Sequence, residues 1–553
     1  MALSYLLLSC SFLSRALSAN TIIFGEDRNI TEWFWQTSVV AGSQLYIAGG
    51  EYYNYSGDSP IAYPLTQDIV IDLSQSWTND AIPSTLVSRG SIAGVRRPML
   101  WFDESINKIY RYGGWPYTED STYSQSLWSL DMNDAASGDW SSITSTGTNG
   151  LENDSRAPGG SAYTYADSSF YALGGSTPNY KSAVQGFLTY DDTAGIWTND
   201  SSKPAISTGY WSLAAAAAAP GFGSAGYLVF VGGTATETRP GATTSTQLMD
   251  LSIITLYDLA AGVWYQQPAT GDIPPPRSAF CSVSASTTDT FEIFVYGGSI
   301  NQATDAGNPN DTGFLNVYAL SLPAFRWFKS TDATVSRRAN HHCTVIGERQ
   351  MISIGGNNPS GQKLGWLPDP WANGIGIFDM TAFNWSSSYD ANATQYESPD
   401  VVKQYYSSSF TTPSWSNPTL AEVFGAQISL STEATSSAST PSSPSTSNHS
   451  TSPSSSSTPI LPIAVGVAVG FVLIVGTAVA AICLRRRRRS KQKVEKNDQN
   501  WLHGESHRTE LKGSRVSTTS LQPPSEIDTH HPRAELPAES PARSRSKLQE
   551  LAA

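Results

Sequence analysis

The chain has 553 residues and a formal net charge of −13. The part up to Leu484 carries 19 Lys/Arg and 38 Asp/Glu, whereas the part that follows carries 15 Lys/Arg and 9 Asp/Glu. Because nucleic-acid phosphates are bound by clustered Lys and Arg, the acidic part argues against a nucleic acid as a partner. The abrupt change of charge predicts two parts in different compartments.

The first element is a predicted signal peptide at residues 1–19. Residues 2–13 form an apolar run of the usual length, and small residues follow at Ala16, Ser18 and Ala19. The run is too short to span a bilayer. We therefore expect a secreted or membrane-anchored protein whose mature chain begins near residue 20.

The predicted ectodomain, residues 20–426, contains six repeats. In each, a short apolar run ends in Gly-Gly. It is followed by a variable loop, an alternating apolar run, a turn and a tryptophan. The first glycines of successive pairs are 58–65 residues apart. The pairs begin at Gly49, Gly113, Gly174, Gly232, Gly297 and Gly355, and the tryptophans are Trp77, Trp140, Trp197, Trp264, Trp327 and Trp385.

The residue pattern of one repeat predicts a small antiparallel sheet. Alternation of apolar and polar residues is typical of β-strands. The Gly-Gly pair lets the chain leave a strand with positive φ and pack closely against its neighbour. Because a single small sheet cannot bury the face of a tryptophan, we expect the neighbouring repeat to cover it.

These features resemble the kelch repeat, in which Tyr-Asp or Phe-Asp stands between the Gly-Gly and the tryptophan. Tyr190-Asp191, Tyr257-Asp258 and Phe378-Asp379 match that element. The resemblance covers roughly residues 33–388 and implies an all-β, six-bladed propeller with four strands per blade, in the superfamily that includes galactose oxidase. Two modes of closure stay open: residues 21–24 supply a strand to the last blade, or each blade is self-contained.

The segment after the last tryptophan, residues 396–425, resembles the tail that follows the propeller in fungal membrane-bound kelch proteins. We expect it to pack against the rim or base of the propeller. An irregular seventh blade is the alternative.

Three further elements are predicted beyond the propeller. Residues 427–459 are rich in Ser and Thr, have no apolar set to bury and predict a disordered stalk. Residues 460–484 carry no charge and are long enough for one transmembrane helix. Five arginines follow at 485–489, so the positive-inside rule puts the C-terminus in the cytosol. Residues 485–553 are polar and predict a disordered cytosolic tail, whose partners stay unknown.

Eight potential N-glycosylation sites support this orientation, because all of them precede the predicted span. They are Asn29, Asn54, Asn153, Asn199, Asn310, Asn384, Asn392 and Asn448.

Two features of the predicted propeller bear on chemistry. Only two histidines lie in it, His341 and His342, and adjacent residues of a strand point to opposite faces. The two histidines and two tyrosines that bind copper in galactose oxidases are therefore not expected here. We expect no catalytic residue, no cofactor and no metal. A carboxylate pair of glycosidase type stays open, because spacing alone does not reveal one.

Cys281 and Cys343 fall at nearly equivalent places in the first strands of repeats five and six. A disulfide between adjacent blades and two buried free thiols both stay open, since the strand separation decides between them.

Arginines fill the first-strand position of the kelch pattern in four repeats: Arg97, Arg156, Arg277 and Arg338. Near one mouth of the central channel they are candidates to bind an acidic ligand. The alternative is that they pair with neighbouring carboxylates.

The order of modules predicts a cell-surface binding protein that is not an enzyme. A glycosylated propeller recognises a protein or glycan outside the cell, and one membrane helix joins it to a cytosolic tail. An extracellular propeller enzyme, of oxidase or glycosidase type, and a structural wall-linked glycoprotein are the alternatives, because fold alone does not choose between them.

Overall fold

The computed structural model describes residues 30–437 except 56–59, 118–125, 135–137, 148–157, 177–183, 185, 201–209, 238–244, 301–311, 336, 359–368 and 370. The chain divides into two units, Met1–Ser443 and Pro444–Ala553, and every described residue lies in the first. The predicted signal peptide, span and cytosolic tail therefore lie outside the described residues. Across those that are described, no helix combines the length and the apolar character that crossing a membrane requires.

In the described part of the chain, strands form six antiparallel sheets of four main strands, one sheet for each Gly-Gly/Trp repeat. The prediction of an all-β fold is confirmed. The strands of sheets 1 to 3, with short accessory strands, are β1 (Ile30–Ala41), β2 (Gln44–Tyr55), β3 (Pro60–Pro64), β4 (Asp68–Asp72), β5 (Trp77–Thr78), β6 (Ser84–Val87), β7 (Val95–Arg96), β8 (Met99–Asp103), β9 (Lys108–Tyr112), β10 (Trp115–Pro116), β11 (Leu127–Asp131), β12 (Ser141–Ile143), β13 (Thr146–Gly147), β14 (Ala162–Ala166), β15 (Ser169–Leu173), β16 (Phe187–Asp191) and β17 (Ile196–Asp200).

Sheets 4 to 6 follow the same plan, and their main strands are consecutive hairpin partners within one repeat. Their strands are β18 (Tyr210–Ser212), β19 (Ala215–Ala219), β20 (Tyr227–Val231), β21 (Thr234–Glu237), β22 (Ser245–Leu248), β23 (Ile253–Asp258), β24 (Val263–Pro268), β25 (Thr270–Gly271), β26 (Cys281–Ser286), β27 (Phe291–Tyr296), β28 (Tyr318–Leu322), β29 (Arg326–Lys329), β30 (His342–Ile346), β31 (Gln350–Ile354), β32 (Ile375–Asp379), β33 (Asn384–Ser386) and β34 (Ser388–Tyr389).

Apolar layers separate the sheets, and each repeat's tryptophan lies in the layer shared with the preceding sheet. Trp140 of sheet 2 packs on Tyr46 of sheet 1, with ring centroids 5.9 Å apart, and Trp197 of sheet 3 packs on Tyr112 of sheet 2 at 4.4 Å. Trp77 of the first repeat, in the accessory strand β5, lies in a layer with isoleucines of sheet 6. Trp77, Trp197 and Trp327 are buried in these layers, whereas Trp140, Trp264 and Trp385 are half-buried and pack against them. The expectation that a neighbouring repeat covers part of each tryptophan is confirmed.

The first strands of the sheets begin with a repeated backbone feature. Six equivalent residues all have φ between +53° and +72°. Five backbone hydrogen bonds of 2.6–3.2 Å link them. In each, the N–H donates to the carbonyl of the equivalent residue in the preceding sheet. One of the five runs from Trp35 of sheet 1 to Asn340 of sheet 6. We call these six residues the collar: Trp35, Arg97, Gly160, Leu213, Ala279 and Asn340.

The Gly-Gly pairs make a second set of bonds next to the collar. The N–H of the second glycine donates to the carbonyl of the residue two positions before the next collar residue, as from Gly298 to Arg338 at 2.8 Å. Gly356 of sheet 6 donates in the same way to Trp33 of sheet 1, at 2.7 Å. A Cβ at the first glycine of the pair would collide with this neighbouring strand, at the Arg338 carbonyl for Gly297 and at the Trp33 carbonyl for Gly355, which explains these glycines.

The main strands of sheet 6 all come from its own repeat. Both closure modes left open above stay predictions. Residues 21–24 lie outside the described part of the chain.

The segment after sheet 6 is helical in place of a seventh sheet. It contains α1 (Asp400–Gln404), a π-helical turn (Tyr405–Ser409) and α2 (Pro418–Ser437). The ring of Phe424 in α2 lies 4.6 Å from Phe222 and 5.0 Å from Phe325. Both partners lie in hairpin turns of sheets 4 and 5, so the segment covers the end of these sheets opposite the collar, which we call the turn end.

Helix α2 continues to Ser437, past the predicted start of the stalk at residue 427. The stalk at residues 427–459 stays a prediction, because residues 438–459 lie outside the described part of the chain. The docked first turns, with Leu420 and Phe424 buried, supply a helix nucleus that the following residues extend.

Candidate ligand-binding surface at the collar

Arg277 and Arg338 lie at equivalent places, two residues before the collar, and both are buried. Arg277 donates to the carbonyl oxygens of Gly297 and Gly313, both at 2.8 Å. Its guanidinium also lies over the Phe314 ring, 4.5 Å from the centroid. The side chain thus holds the end of β27 and the loop that follows it.

Arg338 serves sheet 6 in a similar way. It makes two hydrogen bonds to the Asp369 carboxylate, at 2.6 and 2.7 Å, and another to the Gly355 carbonyl. Its guanidinium lies 4.0 Å from the centroid of the Trp371 ring. A buried arginine with these partners supports the loop, and it is not exposed to a ligand.

Arg97 differs from these two because it is a collar residue itself. It is half-buried and donates through Nη2 to Oδ1 of Asn340, at 2.6 Å. Val95 takes the place that is equivalent to Arg277. The three described arginines therefore do not form the predicted ring, and Arg156 lies outside the described residues. In the sequence Arg97 was placed as the equivalent of Arg277 and Arg338, although it lies two positions further along its strand. No feature of the sequence marks the residue with positive φ.

The first sheet extends beyond its Gly-Gly pair as a three-stranded projection. Residues 51–55 of β2 pair with residues 30–34 of β1 on one side and with β3 on the other. One face carries Tyr52 stacked on Tyr63, with centroids 5.6 Å apart, and the other carries Phe34 stacked on Tyr53 at 5.5 Å. This projection was not predicted, although Tyr52, Tyr53 and Tyr55 after Gly50 were its signal.

The face with Phe34 and Tyr53 continues into the collar. Trp35 meets Phe34 edge-on at 4.8 Å, and the guanidinium of Arg96 lies 4.9 Å from the Trp35 ring and 5.2 Å from the Tyr117 ring. Trp35, Tyr53, Arg97, Tyr117 and Asn340 are all half-buried. We call this set the collar patch: Trp35, Tyr53, Arg96, Arg97, Tyr117 and Asn340.

A buried carboxylate fixes the arginine at the centre of the collar patch. Glu51 is 3% exposed and forms an ion pair of 2.7 Å with Arg96. Burial raises the pKa of the Glu51 carboxyl, and the Arg96 charge opposes that rise. Burial and the charge of Glu51 also raise the pKa of Tyr53, so its hydroxyl stays protonated. The patch therefore offers aromatic rings and fixed hydrogen-bond donors.

Below the collar, the first strands of all six sheets line a cavity of about 300 Å³. Both histidines border it. Burial lowers the pKa of His342 to about 4 and that of His341 well below its usual value, so both are neutral at neutral pH. His341 packs edge-on against Tyr296, at 5.3 Å.

Cys281 and Cys343 form a disulfide between sheets 5 and 6, with Cα atoms 5.3 Å apart. Of the two states left open above, the structure has the bonded one. Cys281 lies two residues after its collar residue and Cys343 three after its own. Side chains alternate between the two faces of a strand. The offset of one residue therefore lets Cys281 and Cys343 point toward each other from facing sides of adjacent sheets.

Four of the predicted glycosylation sites are described, namely Asn54, Asn199, Asn384 and Asn392. Asn54 pairs with Ile61 in the projection. Asn384 and Asn392 are exposed, whereas Asn199 is half-buried in β17. The remaining sites lie outside the described residues: Asn29, Asn153, Asn310 and Asn448.

A second buried polar cluster lies at the turn end. Glu292 is fully buried and accepts hydrogen bonds from the hydroxyls of Ser321 at 2.7 Å, Tyr396 at 2.9 Å and Thr290 at 3.2 Å. Burial raises the pKa of its carboxyl to about 7, while the hydroxyl donors oppose the rise. Since Tyr396 belongs to the segment after sheet 6, the cluster anchors that segment to sheet 5.

No family model matches the chain. The chain is 26% identical over 410 residues to a protein of Arthroderma benhamiae named "Kelch repeat-containing protein", and the match covers 65% of this chain. The matched region spans 57% of that relative's length. The similarity agrees with the kelch pattern of the repeats.

Proposed function

We propose that this chain is a six-bladed kelch-type propeller whose collar patch binds a protein or glycan ligand at the cell surface. Three observations support the architecture: sheet 6 contacts sheet 1 through the same bonds that join the other sheets, an apolar layer fills the gap between them, and a kelch repeat-containing protein is similar in sequence. Repeat folds bury in this way what a single unit cannot.

The collar patch is the observation that carries the binding role. Trp, Tyr and Arg are the residue types that dominate binding energy at interfaces. Their rings and donors are already held by packing and by the Arg96–Glu51 pair, so little side-chain entropy is lost when a ligand binds. The turn end of sheets 4 and 5, by contrast, is covered by α2.

The proposed location rests on the sequence. The predicted signal peptide, the uncharged residues 460–484 followed by arginines, and the potential glycosylation sites upstream support a single-pass protein with its propeller outside the cell. In this proposal the propeller binds its ligand without converting it.

Two tyrosines of the projection provide a matched pair for the test. Tyr53 and Tyr63 each stack on one ring with nearly the same geometry, but only Tyr53 lies on the collar-patch face. The purified full chain is applied to a printed glycan array and to immobilised extracts of cell-surface proteins. We expect Tyr53→Ala to weaken binding at least tenfold and Tyr63→Ala to bind as the unmodified protein does. Equal losses in both variants, or no retained ligand, would overturn the proposal.

A further inference from the structure

The disulfide at the cavity wall has a histidine beside it. A sulfur atom of Cys281, a sulfur atom of Cys343 and a ring nitrogen of His341 all lie within 4.8 Å of one another. The three residues are only 4–5% exposed, yet they border the cavity of about 300 Å³. The cavity therefore gives small molecules a route to a cluster that is otherwise enclosed.

The imidazole in this cluster is unusual for a buried polar group. Neither ring nitrogen of His341 makes a hydrogen bond of ordinary geometry to the described residues. Buried polar groups are nearly always hydrogen-bonded, so an exception calls for an explanation. Gly297 makes room for the ring, because a Cβ there would approach Cε1 of His341 to 2.6 Å.

We propose that reduction of the Cys281–Cys343 disulfide converts this cluster into a binding site for one Zn²⁺ ion. Cys281 Sγ, Cys343 Sγ and a ring nitrogen of His341 are the three protein ligands. Thiolate and imidazole are the ligands that zinc prefers, and three protein ligands leave a fourth tetrahedral position open. A water molecule from the cavity fills that position.

The chemistry has two steps. A low-molecular-weight thiol supplies two electrons and two protons: the S–S bond breaks, two cysteine thiols form, and two molecules of the reductant are joined in a disulfide. Zn²⁺ then displaces both thiol protons and forms two Zn–S bonds and one Zn–N bond. Since Zn–S bonds are about 2.3 Å long, the two sulfurs separate to roughly 3.8 Å, which breaking the disulfide permits.

The test measures binding of Co²⁺, a spectroscopic substitute for Zn²⁺, to the purified full chain in detergent. A phosphine reductant opens the disulfide, and thiolate-to-Co²⁺ charge-transfer absorption reports sulfur ligation. We expect one Co²⁺ per reduced chain, no such band for the oxidised chain, and displacement of Co²⁺ by an equimolar amount of Zn²⁺. The doubly substituted Cys281→Ser, Cys343→Ser chain controls for Cys10 and Cys483 and gives no band.

The neighbouring histidine provides the matched control. His341→Gln is expected to weaken Co²⁺ binding at least tenfold, whereas His342→Gln, which leaves the cluster intact, binds as the unmodified chain does. The proposal is overturned by a reduced chain that shows no band, by equal losses in the two histidine variants, or by an oxidised chain that binds Co²⁺ equally. Circular dichroism shows whether the reduced chain keeps its fold, and unfolding that Co²⁺ does not reverse would overturn it too.

Discussion

The collar end and the turn end of the sheets differ in what holds them together. At the collar end, backbone hydrogen bonds link the sheets, and the side chains of equivalent residues are as different as Trp35, Gly160 and Asn340. At the turn end of sheets 4 and 5, side chains provide the contacts, with Phe424 packed among Phe222 and Phe325. Because backbone hydrogen bonds hold the collar end together, its side chains are free to vary, which suits a binding surface.

The collar itself is uneven. Sheets 3, 4 and 5 contribute Gly160, Leu213 and Ala279, and the last two pack with Trp115 in a small apolar cluster. The other half contributes Trp35, Arg97 and Asn340. The backbone is the same in both halves. The hydrogen bonds of the collar therefore do not require the polar and aromatic side chains of the second half.

The largest expected effect on stability tests whether the side chains that support the collar end are different from those that form its surface. Arg338→Ala removes the partner of Asp369 and a donor to Gly355 in a buried setting. Breaking a buried ion pair costs about 3–5 kcal/mol. We expect denaturant unfolding, followed by tryptophan fluorescence, to show a loss of this size in the free energy of unfolding.

Arg349 of the same sheet is the control for that variant. Its ion pair with Asp379 is partly exposed, so Arg349→Ala is expected to cost about 1 kcal/mol or less. Similar losses for both variants would contradict the scaffold role of Arg338.

The next largest effect concerns the anchor at the turn end and depends on pH. The pKa of Glu292 is about 7 in the folded protein, well above its ordinary value. Between about pH 4.5 and pH 7 the unfolded chain loses this proton while the folded chain keeps it. The free energy of unfolding is therefore expected to fall by about 3 kcal/mol as the pH rises through that range, and then to level off.

Glu292→Gln removes this titration. Tyr396 and Tyr406 beside it have pKa values raised by burial and stay neutral throughout the range. The histidines titrate in both the unmodified chain and Glu292→Gln. The difference in unfolding free energy between the two chains therefore reports the titration of the Glu292 carboxyl alone. A difference that does not change with pH would show that Glu292 is ionised in the folded state like an ordinary carboxylate.

A smaller effect compares the two faces of the projection. Tyr53→Ala and Tyr63→Ala each remove one stacked pair of rings, so each is expected to cost about 1–2 kcal/mol. Thermal unfolding checks that the two losses are similar. Only then does a difference in ligand binding between the variants report the collar patch and not stability.

The smallest effect on stability is expected for Arg97→Ala. This half-buried side chain donates a hydrogen bond to Asn340 and contacts the Trp115 ring, and alanine at the same positive φ adds no new strain. We expect a loss of about 1 kcal/mol or less, measured by denaturant unfolding. A loss as large as that of Arg338→Ala would place Arg97 in the scaffold.

The repeats were predictable from the sequence, whereas the collar was not. Gly-Gly and tryptophan mark strand ends and buried faces directly, because few residues satisfy those demands. Positive φ at the collar is imposed by bonds between sheets and occurs at Trp35, Arg97 and Leu213, which no local rule selects. The candidate site was therefore assigned to four arginines, and the three that are described, Arg97, Arg277 and Arg338, do not form a ring.

The segment after sheet 6 was predicted to pack on the propeller, but its helices were not foreseen. Its apolar residues are widely spaced because they pack against other repeats. Leu420 and Phe424 join the apolar layer of sheets 4 and 5, and Val402 packs with residues of sheet 5. Tertiary contacts of this kind leave no clear periodicity in the sequence.

Hydrogen–deuterium exchange of the full chain, with and without bound ligand, measures most directly where the ligand binds. We predict that the ligand slows exchange at amides 30–36, 51–55 and 95–97, around the collar patch. Slower exchange at the turn end, in residues 220–226, 323–325 and 415–428, with no change around the collar patch, would contradict the account.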